Sequence, residues 1–295
     1  MPIINEFAYV KPATVAQALK WLARYKKPAI LAGGTDLLNS LKDGSIKPDA
    51  VIDIKGLDTL HKISFAGKRL YVGALVTFSE LIEAEAVRRL FPVLAETART
   101  IGSPGIRNRA TMVGNICSAV PCLDSGPLLL AYDAVVTTVG RGGKREIPIV
   151  KWFRGPKKTS LKSGEIVSGV IIPLPEGKHA GCFIKLGRYA GEDLAQASVL
   201  AMALEGNRFR VAFGSVAPVP FRAKGIEKLL NGKQLDARLF AEAKKLVAAA
   251  IAPITDLRAT KEYRAHMCRV MLERSLKAAL GRLAGGGPAY GERLL

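Results

Sequence analysis

The chain has 295 residues, 49% of them apolar and 23% charged, ordinary values for a globular protein with a sizeable core and room for two domains. Lysine and arginine number 44 against 25 Asp and Glu, a net charge of +19. No run of 18 uncharged apolar residues is present, so no membrane-spanning helix is expected. The segment before Val10 carries Glu6 and no basic residue ahead of its apolar positions, unlike a secretory leader. With four irregularly spaced cysteines (Cys117, Cys122, Cys182 and Cys268), reduced thiols and a cytoplasmic protein are the expectation.

Thr14 and Gln17 make a capping-box pattern, and Val15, Ala18, Leu19, Leu22 and Ala23 follow with helical spacing. Pro28 ends that helix, and 29–32 is a short apolar strand running into Gly33-Gly34. Strands are expected at 50–55 and 70–74. Thr77 with Glu80 starts a helix near Phe78, and a further helix at 92–100 stops at Gly102, where left-handed backbone is favoured. The stretch 102–126 reads as a long loop, and such loops in compact domains tend to be functional. Strands resume at 134–139, 147–150 and 166–172, before a Pro-Leu-Pro boundary at 173–175. Beyond it come a strand at 181–186, a loop at 187–193, and strands at 197–204 and 209–216 around the turn Glu205-Gly206-Asn207. Helices follow at 237–251 and 259–280, and Gly285-Gly286-Gly287-Pro288 predicts a frayed tail over 285–295. The fold class is α+β.

Two glycine turns carry the functional signal: Leu31-Ala32-Gly33-Gly34-Thr35-Asp36-Leu37 and Thr111-Met112-Val113-Gly114-Asn115. Gly33 and Gly34 permit positive φ and let amides converge on an anion. Thr35 and Asp36 add a hydroxyl and a carboxylate, the latter turned to loop amides or a ligand hydroxyl rather than to a phosphate. One such turn is a weak signal and reads equally as an ordinary Gly-Gly turn. Two, 80 residues apart in matching context, read as a clamp on the pyrophosphate of a dinucleotide. Val113 sits where a β-branched side chain demands β-like backbone or a reshaped turn. Asp124 suits a ribose hydroxyl or a loop cap. No nucleotide-binding Gly-x-x-x-x-Gly-Lys loop is present, since the run from Gly140 to Lys144 lacks the spacing, and no Gly-x-Gly-x-x-Gly opens a helix. His61, His179 and His266 are isolated, and Cys117 with Cys122 alone makes a poor metal site. No metal in this chain and no catalytic proton-transfer residue are expected.

With AGGTDLL at 32–38, VGALVTFSEL at 72–81, TIGSPGIRNRATMVGNICSAVPCLD at 100–124, GEIVSGVIIP at 164–173 and DLRATKEYRAHM at 256–267, nearly the whole chain resembles the FAD-binding medium subunit of the molybdenum hydroxylases. That family includes carbon monoxide dehydrogenase and xanthine dehydrogenase. The resemblance implies a two-lobed FAD-binding domain of the vanillyl-alcohol-oxidase type over 1–175, with lobes at about 1–55 and 56–175. A smaller α+β domain of antiparallel sheet plus helices is implied over 178–284.

It also implies FAD contacts from Leu31, Ala32, Gly33, Gly34, Thr35, Asp36, Leu37 and Leu38, from Ile101 and Gly102 at the adenine end, and from Thr111, Gly114 and Asn115. Asp124, Val167 and Lys185 match further contacts, and Leu194 matches the residue lying against the flavin ring. A surface lysine at 185 and a core leucine at 194 are the competing readings. Val113 replaces the first glycine of the family's Thr-x-Gly-Gly-Asn. Arg107 and Arg109 are assigned to loop structure or docking rather than phosphate. Partner subunits would carry the molybdenum cofactor (large) and two-iron two-sulfur clusters (small), in a heterotrimer or a dimer of heterotrimers. Electrons would leave FAD for NAD or another acceptor. No cluster is expected in this chain, which lacks the four-cysteine insert of one relative, and no nucleic-acid partner. The alternatives are a stand-alone FAD-dependent oxidoreductase and a basic nucleic-acid-binding protein.

Overall fold

The computed structural model describes residues 3, 5–189 and 192–295, so the loop expected at 187–193 lies outside the described residues at 190 and 191. Strands β1 (Ala8–Val10), β2 (Pro28–Leu31) and β3 (Ala50–Asp53) form a parallel sheet in the order β1-β3-β2. Parallel neighbours need crossovers. Helix α1 (Val15–Arg24) supplies the first, with the Thr14 side chain accepting the Gln17 amide and Ala18 and Leu22 buried. A short helix absent from the sequence expectation, α2 (Leu37–Lys42), lies in the second.

After the hairpin β4 (Ile63–Ala66) and β5 (Arg69–Gly73) come α3 (Phe78–Glu83), α4 (Glu85–Leu90) and α5 (Pro92–Arg99). Thr77 and Glu80 form a complete capping box on α3. The expected long loop at 102–126 is instead three short helices, α6 (Pro104–Arg107), α7 (Met112–Ser118) and α8 (Ser125–Ala131). The Ser103 and Thr111 side chains accept the amides of Ile106 and Gly114, while Met112, Val113, Ile116 and every residue of α8 are buried. Capping and tertiary burial override the glycine and proline content. Strands β6 (Val135–Gly140) and β7 (Gly143–Pro148), the small hairpin β8 (Phe153–Gly155) with β9 (Lys158–Thr159), and β10 (Ile166–Pro173) follow. The antiparallel sheet runs β4-β5-β10-β6-β7.

In the C-terminal part β11 (His179–Leu186), β12 (Ala197–Leu204), β13 (Arg208–Gly214) and β14 (Phe221–Arg222) form an antiparallel sheet in chain order. Helices α9 (Lys224–Leu230), α10 (Ala237–Ala250) and α11 (Lys261–Leu283) cover one face. All eight residues of β12 are buried. Because successive side chains alternate between faces, Leu200, Met202 and Leu204 join the core of the N-terminal part while Val199, Ala201 and Ala203 join the helices. The C-terminal sheet is thus a layer shared by both halves.

Charged pairs stitch the halves together, one of them buried. Glu96 on α5 pairs with Arg282 on α11 at 2.8 Å, with side chains 5% and 4% exposed, and Glu96 also accepts the Phe183 amide at 3.0 Å. Asp133 accepts from Arg222 at 2.6 Å and Arg210 at 3.0 Å. The tail is not the frayed end expected from its glycines. Arg282 donates to the carbonyls of Pro288 and Ala289, each at 2.9 Å, and lies 4.1 Å from the Tyr290 ring centre. The Gly291 amide donates to Glu96 at 3.1 Å, so the tail completes the hydrogen bonding of a buried carboxylate.

Candidate functional site

β2 leads directly into the first glycine turn, which the structure places against the second. Gly34 has φ +81°, the left-handed conformation glycine tolerates best. Gly33 does not have positive φ; its requirement is space. A Cβ there would fall on the Arg109 carbonyl and lie 3.2 Å from Ala110 Cα, one residue before Thr111. The turn then winds into α2 through the Leu38 amide donating to the Gly34 carbonyl and Asn39 Nδ2 donating to the Thr35 carbonyl, both at 3.0 Å. Leu31 is buried with Leu41 and Val51, Leu37 packs on them, and Ala32 packs on the main core. Leu38 is exposed. The Asp36 carboxylate accepts the hydroxyl of Ser118, at the end of α7, so it ties the two turns together rather than binding loop amides.

On the other side, the Phe78 amide donates to the Ala110 carbonyl at 3.0 Å and Thr77 bridges Thr111. The Thr111 hydroxyl accepts the Gly114 amide at 2.9 Å, and the side-chain carbonyl of Asn115 accepts the Ser125 hydroxyl. Val113 is helical, buried in the first turn of α7. The β-like or reshaped turn expected at 113 is therefore corrected: with helical φ no glycine is needed there.

Gly102 adopts φ +47°, and Arg107 Nη1 donates to the carbonyls of Ile101 at 3.0 Å and Gly102 at 2.9 Å. Arg107 is thus part of the loop's own structure, as expected for it, whereas Arg109 is exposed. Lys185 on β11 crosses between the halves, donating to the Thr100 carbonyl at 2.9 Å and to Asp124 Oδ2 at 2.7 Å. With its side chain 10% exposed, it is no surface lysine. Burial pushes the Asp124 carboxyl up, against the pull of the Lys185 ammonium. Its second oxygen, Oδ1, is buried with no hydrogen-bond partner. Buried acceptors are normally satisfied, so this atom is open to a ligand hydroxyl.

Val167 is buried on β10 opposite Thr138, beside a break in the strand register, and α7 packs on the same strand. Leu194 is 50% exposed, which rules out a core leucine. Its amide is fixed by Asp193, which also accepts the Arg188 amide. Sequence reasoning missed Ser118 and Ser125, whose partners lie 82 and 10 residues away; a lone serine gives no signal of such pairing. All four cysteines are free, and no group of three or more His, Cys, Asp or Glu able to hold a metal is found among the described residues.

The arrangement fits a long ligand with an anionic middle: a tight backbone cradle at 32–35 and 111–115, and an unsatisfied carboxylate oxygen beside a buried ammonium. A family model described as the FAD binding domain in molybdopterin dehydrogenase matches residues 5–175. A second, the CO dehydrogenase flavoprotein C-terminal domain, matches residues 188–279. The chain is 32% identical over 276 residues to the glyceraldehyde dehydrogenase medium chain of Sulfolobus acidocaldarius, covering 92% of this chain and 98% of that one. To the xanthine dehydrogenase FAD-binding subunit of Escherichia coli O157:H7 it is 32% identical over 286 residues, covering 94% and 97%. The carbon monoxide dehydrogenase structure from Hydrogenophaga pseudoflava superposes with a TM-score of 0.91 at 30% identity, covering 96% of this chain and 99% of its counterpart. The chain belongs to the family of FAD-binding medium subunits of molybdenum hydroxylases.

Proposed function

We propose that this subunit holds one FAD with its pyrophosphate between the turns at 32–36 and 111–115, and stands between an iron–sulfur partner that supplies electrons and an external acceptor. The observation that carries the reading is the contact of Gly33 with Arg109 and Ala110, which leaves no space for a Cβ. It brings two turns distant in sequence to one place.

The chain's residues do the positioning. Gly33 and Gly34 give the phosphate access to the backbone, and Thr35, Thr111, Gly114 and Asn115 offer polar atoms around it. Asp36 keeps the two turns at a fixed separation through Ser118. Ile101 and Gly102, fixed by Arg107, receive the adenine end. Asp124 Oδ1 accepts a ribose hydroxyl while Lys185 balances its charge. Val167 and Leu194 supply apolar surface, Leu194 over the flavin ring where it limits water to one face. When bound, FAD supplies a carrier that takes electrons singly and releases a pair; the protein contributes orientation and electrostatics.

The partners are a molybdenum-bearing large subunit and a small subunit with two-iron clusters, in a heterotrimer or its dimer, with NAD or another molecule as acceptor, in the cytoplasm. Relatives named as medium chains or subunits are matched over 97–98% of their length, which favours a subunit over a stand-alone oxidoreductase. No helix among the described residues is long and apolar enough to cross a membrane. The test is a flavin absorption spectrum of the purified chain, with titration by FAD if it is isolated empty. One FAD per chain is the expected stoichiometry. A chain that stays colourless after excess FAD overturns the proposal.

A further inference from the structure

From Val150 to Lys162 the chain holds five cations, Lys151, Arg154, Lys157, Lys158 and Lys162, and no carboxylate. The run includes the small hairpin of β8 and β9, and all five cationic residues are exposed. Among the described residues none of the five has a carboxylate within 4.0 Å. The next acid along the chain, Glu165, is taken by Arg145 and by the Lys162 amide. On α11, by contrast, Lys277 and the facing Lys244 share Glu273. Beside Lys151 stands an apolar side chain turned outward, Val150 at 69% exposure. Unpaired like charges repel one another, so such a cluster favours an anionic partner.

The hairpin is fastened to the cradle. Trp152, wholly buried, donates from Nε1 to the Ile116 carbonyl at 2.9 Å, and the Lys157 amide donates to the Ala119 carbonyl at 2.8 Å. Ile116 lies on α7 and Ala119 caps its end; this is the helix that Thr111 starts and whose Ser118 holds Asp36. Lys157 has φ +56°, a left-handed backbone that costs a side-chain-bearing residue. Hydrogen bonding to Ser45, and the Lys157 ammonium from beyond ion-pair distance, hold the Asp43 carboxyl below its usual range. Asp43 caps the end of α2. One hairpin thus reaches the ends of both helices that leave the glycine turns.

We infer that this hairpin is where the external electron acceptor lands, and that the acceptor is an acidic electron-carrier protein. Lysine is depleted in lasting protein interfaces, whereas exposed, unpaired cations speed the encounter with a mobile partner of opposite charge. Electron-transfer encounters are also among the smallest interfaces, the scale of five cations and one exposed valine. The patch therefore suits a transient carrier better than a permanent subunit. A second copy of this chain would bring +19 against +19, which opposes self-association. Trp152 and Phe153 are buried, so the hairpin offers no aromatic platform for nucleic-acid bases. Each carrier takes one electron, so two encounters return a fully reduced flavin to FAD with two protons released to water. The inference rests on the reading of the chain as an FAD-bearing subunit, and it names the acceptor which that reading leaves open.

The test titrates an acidic two-iron ferredoxin into the full-length chain and its holoenzyme at low and high salt, with flavin absorbance read in parallel. Lys157→Glu combined with Lys158→Glu is expected to weaken binding at least about tenfold at low salt and to approach wild type at high salt. Val150→Ser should weaken it about threefold at either salt. Arg269→Glu with Arg293→Glu, exposed on α11 and the tail, makes the same change in net charge and should bind like wild type. Reduction of the flavin by reduced ferredoxin, the same transfer in reverse, should slow in step with binding, while reduction by dithionite does not. Should the first pair disturb the hairpin, Lys151→Glu with Lys162→Glu carries the test. Wild type that does not bind ferredoxin, equal loss in the hairpin and control pairs, or tighter hairpin-dependent binding of duplex DNA overturns the inference. A chain that takes up no FAD yet binds ferredoxin through the hairpin sinks the FAD reading and leaves the docking face standing.

Discussion

The cradle and the seam between the two halves are built by opposite means. In the cradle, fit is set by backbone: a glycine with no space for a Cβ, two glycines with positive φ, and short-range hydrogen bonds such as Thr111 to Gly114. In the seam, fit is set by charged pairs far apart in sequence, the buried Glu96 with Arg282 and the exposed Asp133 with Arg222, 186 and 89 residues apart. A backbone cradle tolerates no added atom but carries little energy of its own. A buried ion pair adds little net stability, yet losing one member is expensive because the other remains buried and uncompensated. Such a seam therefore enforces one placement of the halves. Lys185 with Asp124 spans the seam as well, with both side chains largely buried, and the proposed FAD site would draw on the same pair.

The contrast predicts which property each substitution damages. Glu96→Ala strands Arg282 and removes the acceptor for the Phe183 and Gly291 amides, so a loss of about 3–5 kcal/mol is expected, read from the urea midpoint. A Glu96→Leu, Arg282→Met double variant should recover much of it; equal destabilisation of single and double variants would break the account of the seam. Next in size, Gly33→Val drives side-chain atoms into the Arg109 carbonyl and should weaken FAD binding about 100-fold, from an overpacking cost of ~1–3 kcal/mol concentrated on backbone. FAD titration followed by fluorescence measures it. Unchanged affinity would remove the first turn from the site. Lys185→Met leaves Asp124 buried beside no cation and should lower FAD affinity about tenfold, the size of one charge-assisted hydrogen bond. Its thermal midpoint should fall as well, because the seam loses a member.

The same contrast explains what was legible in the sequence. Caps at Thr14 and Thr77 and the hairpin around Gly206 were readable because both partners lie within a few residues. The convergence of the turns at Gly33 and Gly114 was readable as a pattern, but the reason for Gly33 was not: its steric limit comes from residues 109 and 110 across the fold. Glycine and proline content disguised α6, α7 and α8 as loop, because burial of Met112, Val113 and Ile116 is a tertiary fact. The Gly-rich tail was misread for the same reason, since its anchor is Glu96. Ser118 with Asp36 and Arg264 with Gln196 had no local signature.

Acid sharpens the comparison by the smallest margin. Burial pushes the Asp193 carboxyl up, but hydrogen bonds from the Arg188 side chain and the amides of Arg188 and Leu194 outweigh it and hold it below the ordinary carboxylate range. Burial likewise raises Asp256, and the amides of Arg258 and Ala259 with the Arg264 guanidinium bring it below that range. A carboxyl depressed in the folded state contributes stability that is complete above its unfolded value, near about 3.9, and disappears as pH falls through the folded value. Stability from these two groups should therefore be flat from neutral pH to roughly 4–5 and decline below. Asp256→Asn, which keeps the shape but cannot titrate, should be somewhat less stable at neutral pH and lose less on acidification, as read from urea midpoints between pH 7 and 3 (about the span of the carboxylate titration). If the variant and wild-type curves stay parallel through that range, the charge of Asp256 is not what holds the amides of Arg258 and Ala259 and the Arg264 guanidinium in place.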